Sequence, residues 1–201
     1  MSLFLLALAG HAANLPAAFD AEEQWPQTKT PVLNQAQCGS CWSFSTTQQL
    51  AARILVLGGP AGSALSQDGS VISAETPVAF FSQLSGEAHG CNGGDPLASI
   101  QVISTRGVPV ATCAKYISGM CDEGRDASQD GCTDGQGLAW GTCYSDPSQK
   151  WDSWGHMQGS LITSAQYING SEAMMADLFA NGPVTQSHSA TTPDYSGQPL
   201  F

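Results

Sequence analysis

The chain has 201 residues, of which 6 are Lys or Arg and 17 are Asp or Glu, so that its formal net charge is −11. Six scattered cations cannot form a basic patch, and this argues against a protein that binds nucleic acid. Apolar residues make up 42% of the chain, which is enough for a sizeable core and is not typical of intrinsic disorder. Its uninterrupted apolar run, residues 3–10, is far shorter than the roughly 18–20 residues of a membrane span. We therefore expect one folded domain or two small ones, with no membrane span.

The beginning of the chain has the character of a targeting segment. Residues 1–13 contain a short apolar stretch followed by small residues, with Gly10 and Ala12 at the −3 and −1 positions of a cleavage site. We interpret residues 1–13 as a secretory signal peptide; because no basic residue precedes the apolar stretch, an arbitrary start of the chain is the alternative. The seven cysteines lie among many turn residues, which favours an oxidising environment. Seven is odd, so at least one cysteine is unpaired within the chain.

The first half of the chain predicts helices. Residues 14–32 form a Pro-punctuated arm that is expected to be extended. Residues 41–57 predict a strong helix that stops at Gly58-Gly59, because apolar residues recur there at helix-like intervals: Trp42, Leu50, Ile54 and Leu57. A loop is predicted over residues 60–68, a short helix over residues 73–83 and a Gly-rich turn over residues 85–94. Asp95 and Pro96 then cap and open a helix that ends at Gly107.

The second half has a different character. Residues 113–143 are polar, Gly-rich and acidic, and they predict a long loop. A strand is expected within residues 161–169, and a helix over residues 171–180 with Ser171 as its cap and Asn181-Gly182-Pro183 as its end. The residues from 184 onward begin with a strand-like pattern.

The segment that carries chemistry is residues 34–44. Cys41 stands in the first turn of a predicted helix, where unpaired backbone N–H groups and the helix dipole stabilise a thiolate, the nucleophilic form of cysteine. Gln35 precedes it by six residues, so its side-chain amide and the backbone N–H of Cys41 could together bind the oxyanion of a tetrahedral intermediate. Gly39 would let a substrate approach the backbone closely. We therefore expect Cys41 to be a catalytic nucleophile.

Cys38 and Cys41 also form a Cys-x-x-Cys pair, which has two other interpretations. A redox pair normally follows a strand in a βαβ unit, whereas here a Pro-rich arm precedes the cysteines. A zinc site needs a second Cys or His pair at matching spacing, and the sequence has none. Both alternatives are weaker than the nucleophile interpretation.

These residues resemble the papain-like cysteine peptidases. Residues 35–42 are similar to the active-site signature of that family, and Gly90-Cys91-Asn92-Gly93-Gly94 is similar to its second hallmark. Shorter similarities at residues 15–26, 73–75 and 181–184 extend the resemblance over about residues 15–195, in a form similar to cathepsin B. The resemblance implies an α+β papain-like fold with a complete helical left domain and an incomplete β-barrel right domain.

The same resemblance implies a domain organisation and a disulfide pattern. Residues 14–110 would form the left domain with the nucleophile, residues 111–150 an insertion similar to the occluding loop of cathepsin B, and residues 151–201 the start of the right domain. The implied disulfides are Cys38–Cys91, Cys113–Cys143 and Cys121–Cys132, which leave Cys41 as the free thiol. The sequence alone allows many other pairings.

The implied mechanism is peptide-bond hydrolysis through a thioacyl-enzyme on Cys41, with a histidine as general base and an asparagine that orients it. Gly93 and Gly94 would bind the substrate backbone, whereas Trp42 is expected to pack behind the nucleophile. His11 lies in the expected signal peptide, His89 beside the Gly-rich turn and His156 in a polar linker. His188, in Ser-His-Ser, lacks the Gly-His-Ala setting of the family's base, and no Asn-Ser-Trp motif occurs. We therefore expect the base and its asparagine to lie beyond Phe201 and this chain alone to hydrolyse little or nothing. No pro-segment separates residues 1–13 from Leu15, which again suggests a partial sequence.

The acidic insertion departs from cathepsin B in one informative place. Cathepsin B uses a histidine pair after the cysteine at the place of Cys121 to release dipeptides, whereas here Asp122-Glu123 follow that cysteine. Carboxylates would repel the C-terminal carboxylate of a substrate, which predicts an endopeptidase. Aspartates recur at every fourth position from 122 to 134, but this spacing is not that of an EF-hand, so we favour a solvated acidic loop over a calcium site.

The sequence therefore predicts a papain-like cysteine endopeptidase that acts on peptides or proteins, without a metal or a cofactor. Cystatin-like inhibitors are conceivable partners, and the protein is expected to be secreted or lysosomal/vacuolar. The first alternative is an inactive homologue that binds peptides or inhibitors, and the second is an acidic disulfide-rich secreted module. Residues 169–171 form an N-glycosylation sequon, which could equally be only the start of the helix that follows.

Overall fold

The structure is a computed structural model, and it describes residues 15–67, 69–81, 90–118, 141–143, 146, 148, 162 and 164–187. The expected signal peptide, the acidic part of the insertion with Cys121 and Cys132, and all four histidines lie outside these residues. Helices dominate the described part: α1 (Ala21–Gln24), α2 (Cys41–Leu57), α3 (Gly59–Gln67), α4 (Glu75–Phe80), α5 (Pro96–Arg106) and α6 (Ser171–Asn181). Between the described residues, β pairing is limited to isolated bridges, among them Gly39 with Asn92 and Ile72 with Val110.

Helix α2 is the centre of the core, and its bounds agree with the predicted helix. Trp42, Leu50 and Ile54 recur on one face and are at most 7% exposed, as the sequence spacing predicted. Leu57, which was expected on the same face, is 49% exposed. The helix ends at Gly58, whose φ of 67° is accessible to glycine without strain and whose N–H donates to Ile54 O at 3.0 Å.

The predicted loop over residues 60–68 is wrong, because most of this segment is helix α3. Its Gly, Pro and Ser residues have poor helix propensity, and they obscured the pattern. Tertiary packing outweighs that propensity: Leu65 is fully buried, and a Cβ at Gly62 would lie 3.1 Å from Ile54 O. The glycine thus allows α3 to lie directly against α2.

The N-terminal arm contains more regular structure than the sequence predicted. Residues 14–32 were expected to be extended, yet α1 and a 3-10 turn, Pro26–Thr28, lie within them. Asp20 caps α1, since its carboxylate accepts from the N–H groups of Glu22 and Glu23 at 2.8 and 3.2 Å. A single helical turn of four residues is too short to show an apolar period, which is why the pattern did not reveal it.

Helices α4 and α5 lie within the same core as α2. Helix α4 spans Glu75–Phe80, within the helix predicted over residues 73–83, of which residues 82 and 83 are not described. Helix α5 has the predicted start and end: Asp95 caps it by accepting from Ala98 N at 2.7 Å, and Gly107, with φ 76°, follows its last residue. Here the cap, the first-turn proline and the terminal glycine all agreed with one another, and the prediction is correct.

The second half shows two departures from expectation. Helix α6 begins at Ser171 as predicted, but Gly170 occupies the cap position and no side chain caps the helix. A strand was expected within residues 161–169, whereas residues 162 and 164–169 form no strand, and neither do residues 184–187. We found no helix in the described part that is both long and apolar enough for a membrane span.

Candidate active site

Cys41 is the first residue of α2, and it is an exposed cysteine without a disulfide partner in the described part of the chain. The first hydrogen bonds of the helix run from the N–H groups of Ser43 and Phe44 to Ser40 O, at 2.9 and 3.2 Å. The N–H groups of Cys41 and Trp42 precede these bonds and point toward the open end of the helix. The thiol therefore lies beside backbone donors at the positive end of the helix dipole.

Gln35 lies on the loop that leads into α2. Its side-chain Nε2 donates to Cys38 O at 2.8 Å, which fixes the amide against the turn before Cys41. The loop is tightly bent after Gln35, because Ala36 has a φ of 51° and its N–H donates to Asn34 Oδ1 at 2.8 Å. One of the two amide hydrogens of Gln35 is used in the loop, and the second remains to donate to a ligand.

A disulfide joins Cys38 to Cys91, the pair that the family resemblance implied. Beside it, Gly39 N donates to Cys91 O at 2.9 Å. A Cβ on Gly39 would lie 2.5 Å from Cys91 O, so no larger residue fits. The glycine was expected to make room for a substrate; the structure shows that it makes room for the segment around Cys91.

Trp42 holds the same segment from the other side. Its indole is 3% exposed and its Nε1 donates to Gly90 O at 3.1 Å, which confirms that Trp42 packs behind the nucleophile. A Cβ on Gly94 would lie 2.6 Å from the indole ring, whereas a Cβ on Gly93 would meet no atom of the described residues within 4 Å. Gly94 therefore packs against Trp42, and Gly93, with φ 105°, borders open space.

The side chains of Ser40 and Tyr116 join this site, and the sequence did not reveal them. Ser40 Oγ lies 2.7 Å from Tyr116 Oη, which in turn donates to Gln35 O at 2.9 Å. The ring of Tyr116 packs edge-to-face on Phe44, with centroids 4.7 Å apart. Burial raises the pKa of Tyr116 above 10.0, the hydrogen bond from Ser40 lowers it, and the charge of Glu75 raises it further.

Glu75 is a second residue that the sequence reasoning missed in this role. Its carboxylate is fully buried, with Oε2 accepting from the N–H groups of Ile117 and Ser118 at 2.9 Å and Oε1 accepting from Ser118 Oγ at 2.6 Å. A buried carboxylate is tolerated when several donors satisfy it, as they do here. A disulfide between Cys113 and Cys143 pins the other end of this segment.

The structure brings Cys41, Gln35, Gly39, Gly93 and Gly94 together around the N-terminus of α2. No histidine lies among the described residues, so the structure assigns no general base. No group of three His, Cys, Asp or Glu side chains in residues 15–67, 69–81, 90–118 and the described residues after 140 is placed to hold a metal ion. The arrangement combines a thiol, a side-chain amide and free backbone donors, which are the groups that acyl transfer through a thioester requires.

The chain is similar to known proteins in both sequence and fold. The model of the family described as "Papain family cysteine protease" matches residues 15–197. The chain is similar to a gut-specific cysteine proteinase of Caenorhabditis elegans, at 25% identity over 88% of this chain and 51% of the relative. It is also 25% identical to cathepsin B of Dictyostelium discoideum over 85% of this chain and 50% of that protein. A cathepsin B-like protein of Giardia intestinalis is 28% identical over 55% of this chain and 36% of its own length.

Among solved structures, procathepsin B S9 from Trypanosoma congolense matches with a TM-score of 0.56 at 23% identity, over 90% of this chain and 53% of that chain. This similarity shows the papain-like fold, as the sequence predicted. The chain spans about half the length of the curated relatives it matches, or less. Because the family model matches residues 15–197 of the 201, the chain belongs to the papain family of cysteine proteases.

Proposed function

We propose that Cys41 is the nucleophile of a cysteine endopeptidase that cleaves peptide bonds through a thioacyl-enzyme. The sulfur attacks the carbonyl carbon of the scissile bond, and an S–C bond forms as the carbonyl oxygen becomes an oxyanion. The C–N bond then breaks, the amine leaves with a proton, and water hydrolyses the thioester. A histidine would carry the protons between these steps, with an asparagine that orients its ring.

The observation that carries this proposal is the exposed Cys41 thiol at the start of α2, beside Gln35. The second amide hydrogen of Gln35 and the N–H of Cys41 supply the two donors of an oxyanion hole. The Gln35 side chain is fixed by its hydrogen bond to Cys38 O, at 2.8 Å, and the turn before Cys41 is fixed by the disulfide between Cys38 and Cys91. An oxyanion hole works through such prior positioning of its donors.

Gly93 is the residue that we expect to contact the backbone of the substrate. The open space beside Gly93 leaves its backbone accessible to the main chain of a peptide, whereas Gly94 is occupied by Trp42. We propose that Gly93 makes the direct backbone contact and that Gly94 positions it. Binding through main-chain groups suits a peptide or protein substrate, since every peptide carries them.

We expect this chain alone to turn over peptides slowly or not at all. It spans about half the length of its relatives, and none of the three histidines that follow Cys41 stands in the Gly-His-Ala setting of the family's base. Steady release from a fluorogenic peptide that disappears in Cys41→Ala would contradict this expectation. It would support the nucleophile at the same time.

We further propose endopeptidase specificity, a secreted or lysosomal location and susceptibility to cystatin-like inhibitors. The specificity follows from Asp122-Glu123, which would repel the terminal carboxylate of a substrate. Dipeptides as the main product of a full-length relative that carries the same acidic pair would contradict the specificity. The location is supported by two disulfides in the described part, which are typical of oxidising compartments.

An acylation experiment tests the nucleophile without needing a general base or deacylation. An N-acylated amino acid p-nitrophenyl ester acylates a reactive thiol: an S–C bond forms, the C–O bond breaks, and p-nitrophenolate leaves while the thiol proton goes to solvent. We expect a burst of one equivalent of p-nitrophenolate and a thioester on the Cys41 peptide. Gln35→Ala is expected to slow the burst by about 10²-fold, as the loss of one oxyanion donor does.

The matched control is Cys41→Ser, which keeps the shape of the side chain and should show no burst. An acyl group found elsewhere than on Cys41 would contradict the proposal. An unchanged burst in Gln35→Ala would also contradict it and would favour the alternative of an inactive homologue that binds peptides or inhibitors.

A further inference from the structure

We propose that Tyr116 is a positioning residue for the oxyanion hole, because its hydroxyl fixes the distance between Gln35 and the start of α2. This inference rests on the proposed function, since it gives Tyr116 a role at the same site. Tyr116 itself would not touch the substrate. It acts through the two segments that carry the donors.

One hydroxyl group joins these two segments. Tyr116 Oη lies 2.9 Å from Gln35 O and 2.7 Å from Ser40 Oγ. A tyrosine has one hydroxyl hydrogen, and here it is donated to Gln35 O, so the Ser40 hydroxyl must donate to Tyr116. The chain of bonds therefore runs from Ser40, next to Cys41, through Tyr116 to the residue whose amide faces the same site.

The bond to Tyr116 also determines what Ser40 does at the helix terminus. A serine at the N-cap position commonly accepts from an N–H of the first turn. Ser40 occupies that position in α2 and makes no such bond. Its fully buried hydroxyl is engaged with Tyr116, and this leaves the first-turn N–H groups near Cys41 without a side-chain cap.

Tyr116 is itself held firmly, which a positioning residue must be. Its ring packs on Phe44 of α2, and the next two residues donate their N–H groups to the buried carboxylate of Glu75. Upstream, Cys113 is tied to Cys143. Burial raises the pKa of Tyr116 above 10.0, so its hydroxyl keeps the proton that it donates to Gln35 at neutral pH.

Two reagents separate positioning of the oxyanion hole from the general reactivity of Cys41. Iodoacetamide alkylates the sulfur by displacement: an S–C bond forms and iodide leaves, so no oxyanion develops. An acetyl-dipeptide aldehyde adds the thiol across its C=O bond, with an S–C bond formed and the thiol proton transferred to the oxygen. That oxygen would lie where the oxyanion of the reaction lies. The affinity of the aldehyde therefore reports on the two donors of the oxyanion hole, the Gln35 amide and the Cys41 N–H.

We expect Tyr116→Phe, which keeps the ring and loses the hydroxyl, to weaken aldehyde binding about 5- to 30-fold, the effect of a hydrogen bond worth 1–2 kcal/mol. The rate of iodoacetamide alkylation should stay unchanged. Ser40→Ala keeps the bond from Tyr116 to Gln35, so a smaller loss of aldehyde affinity is expected. The matched control is Tyr167→Phe, which removes a hydroxyl bonded to Asp95 Oδ2. It should change neither the affinity for the aldehyde nor the rate of alkylation by iodoacetamide.

Gln35→Ala distinguishes a failure of this inference from a failure of the proposed function. If Gln35→Ala weakens aldehyde binding while Tyr116→Phe and Ser40→Ala bind like the original chain, the role of Tyr116 is overturned and the nucleophile stands. If Gln35→Ala binds the aldehyde as tightly as the original chain, the oxyanion hole fails and the role of Tyr116 fails with it. A loss of aldehyde affinity in Tyr116→Phe that is matched by an equal loss in the rate of iodoacetamide alkylation would indicate a general disturbance and would also overturn the positioning role.

Discussion

The described parts on either side of the insertion are held together in different ways. Around α2, α4 and α5, side chains such as Val78 and Ile103 are fully buried, and a disulfide ties the site to the segment around Cys91. Helix α6 has no buried residue and leaves Met175 51% exposed. Polar contacts hold it on α2: Arg53 pairs with Asp177 and donates from Nε to Pro183 O at 2.9 Å. Rigidity at Cys41 therefore comes from the first part, and α6 can be perturbed separately.

The largest effect on stability is expected from Glu75→Ala, a substitution in the core around α2, α4 and α5. Removal of the buried carboxylate takes the acceptor from the partly buried N–H of Ile117 and the buried N–H of Ser118, and we expect a loss of about 3 kcal/mol in the free energy of unfolding. Urea unfolding measures this. Glu22→Ala, at an exposed carboxylate, is the control with a change of at most about 0.5 kcal/mol. Similar losses in both variants would contradict the distinction between the two kinds of carboxylate.

Gly39→Ala should act next most strongly, and at the site itself. The added Cβ would lie 2.5 Å from Cys91 O, so the two segments must separate, at an expected cost of about 2 kcal/mol. Because the separation moves the turn before Cys41, the burst of p-nitrophenolate should slow as well. Urea unfolding and the burst rate are measured on the same preparation, and an unchanged value in both would show that the segments are not closely packed.

Arg53→Ala tests the second part. Loss of the ion pair with Asp177 and of the bond to Pro183 O should lower the free energy of unfolding by about 1 kcal/mol. The loss is modest because the side chains of Arg53 and Asp177 are both partly exposed. Amide hydrogen exchange should become faster in α6 and remain unchanged in α4 and α5. Arg106→Ala, in the last turn of α5, is the control. Faster exchange throughout the core would contradict the separation of the two parts.

The smallest effect concerns alkaline pH. Because burial raises the pKa of Tyr116 in the folded chain, the folded state holds this proton to a higher pH than the unfolded state. The contribution of this pKa shift to the free energy of unfolding is complete below pH 10.0, and it is lost as the pH rises through the pKa of Tyr116 in the folded chain. Urea unfolding between pH 9 and 11 should show a steeper decline for the original chain than for Tyr116→Phe. Equal declines of the free energy of unfolding in the original chain and in Tyr116→Phe would contradict the raised pKa of Tyr116.

The sequence predicted the elements whose local signals agree with one another. Helices α2 and α5 each combine an apolar period with a terminal glycine, and α5 adds Asp95 and Pro96 at its start. Helix α3 was missed because its Gly, Pro and Ser residues are weak helix formers that only packing against α2 stabilises. The strand expected within residues 161–169 is wrong for residues 162 and 164–169, because its short pattern has no cap or turn signal to support it.

At the candidate site, the sequence predicted the residues that lie close together in the chain and missed the contacts between distant ones. Cys41, Gln35 and Gly39 lie within one short segment, and their chemistry can be read from it. The bonds of Tyr116 to Gln35 and of Ser118 to Glu75 join residues 81 and 43 positions apart. No periodicity or spacing signals such a contact. No histidine lies among the residues that the structure describes, so the general base stays a prediction.

The most direct test of the central claim is a cysteine map of the non-reduced chain after brief treatment with iodoacetamide. The account predicts carbamidomethyl on Cys41 and none on the disulfide-bonded Cys38 and Cys91, with alkylation at mildly acidic pH faster than for free cysteine. Cys41 recovered in a disulfide, or alkylated no faster than free cysteine, would contradict the assignment of this residue as the nucleophile.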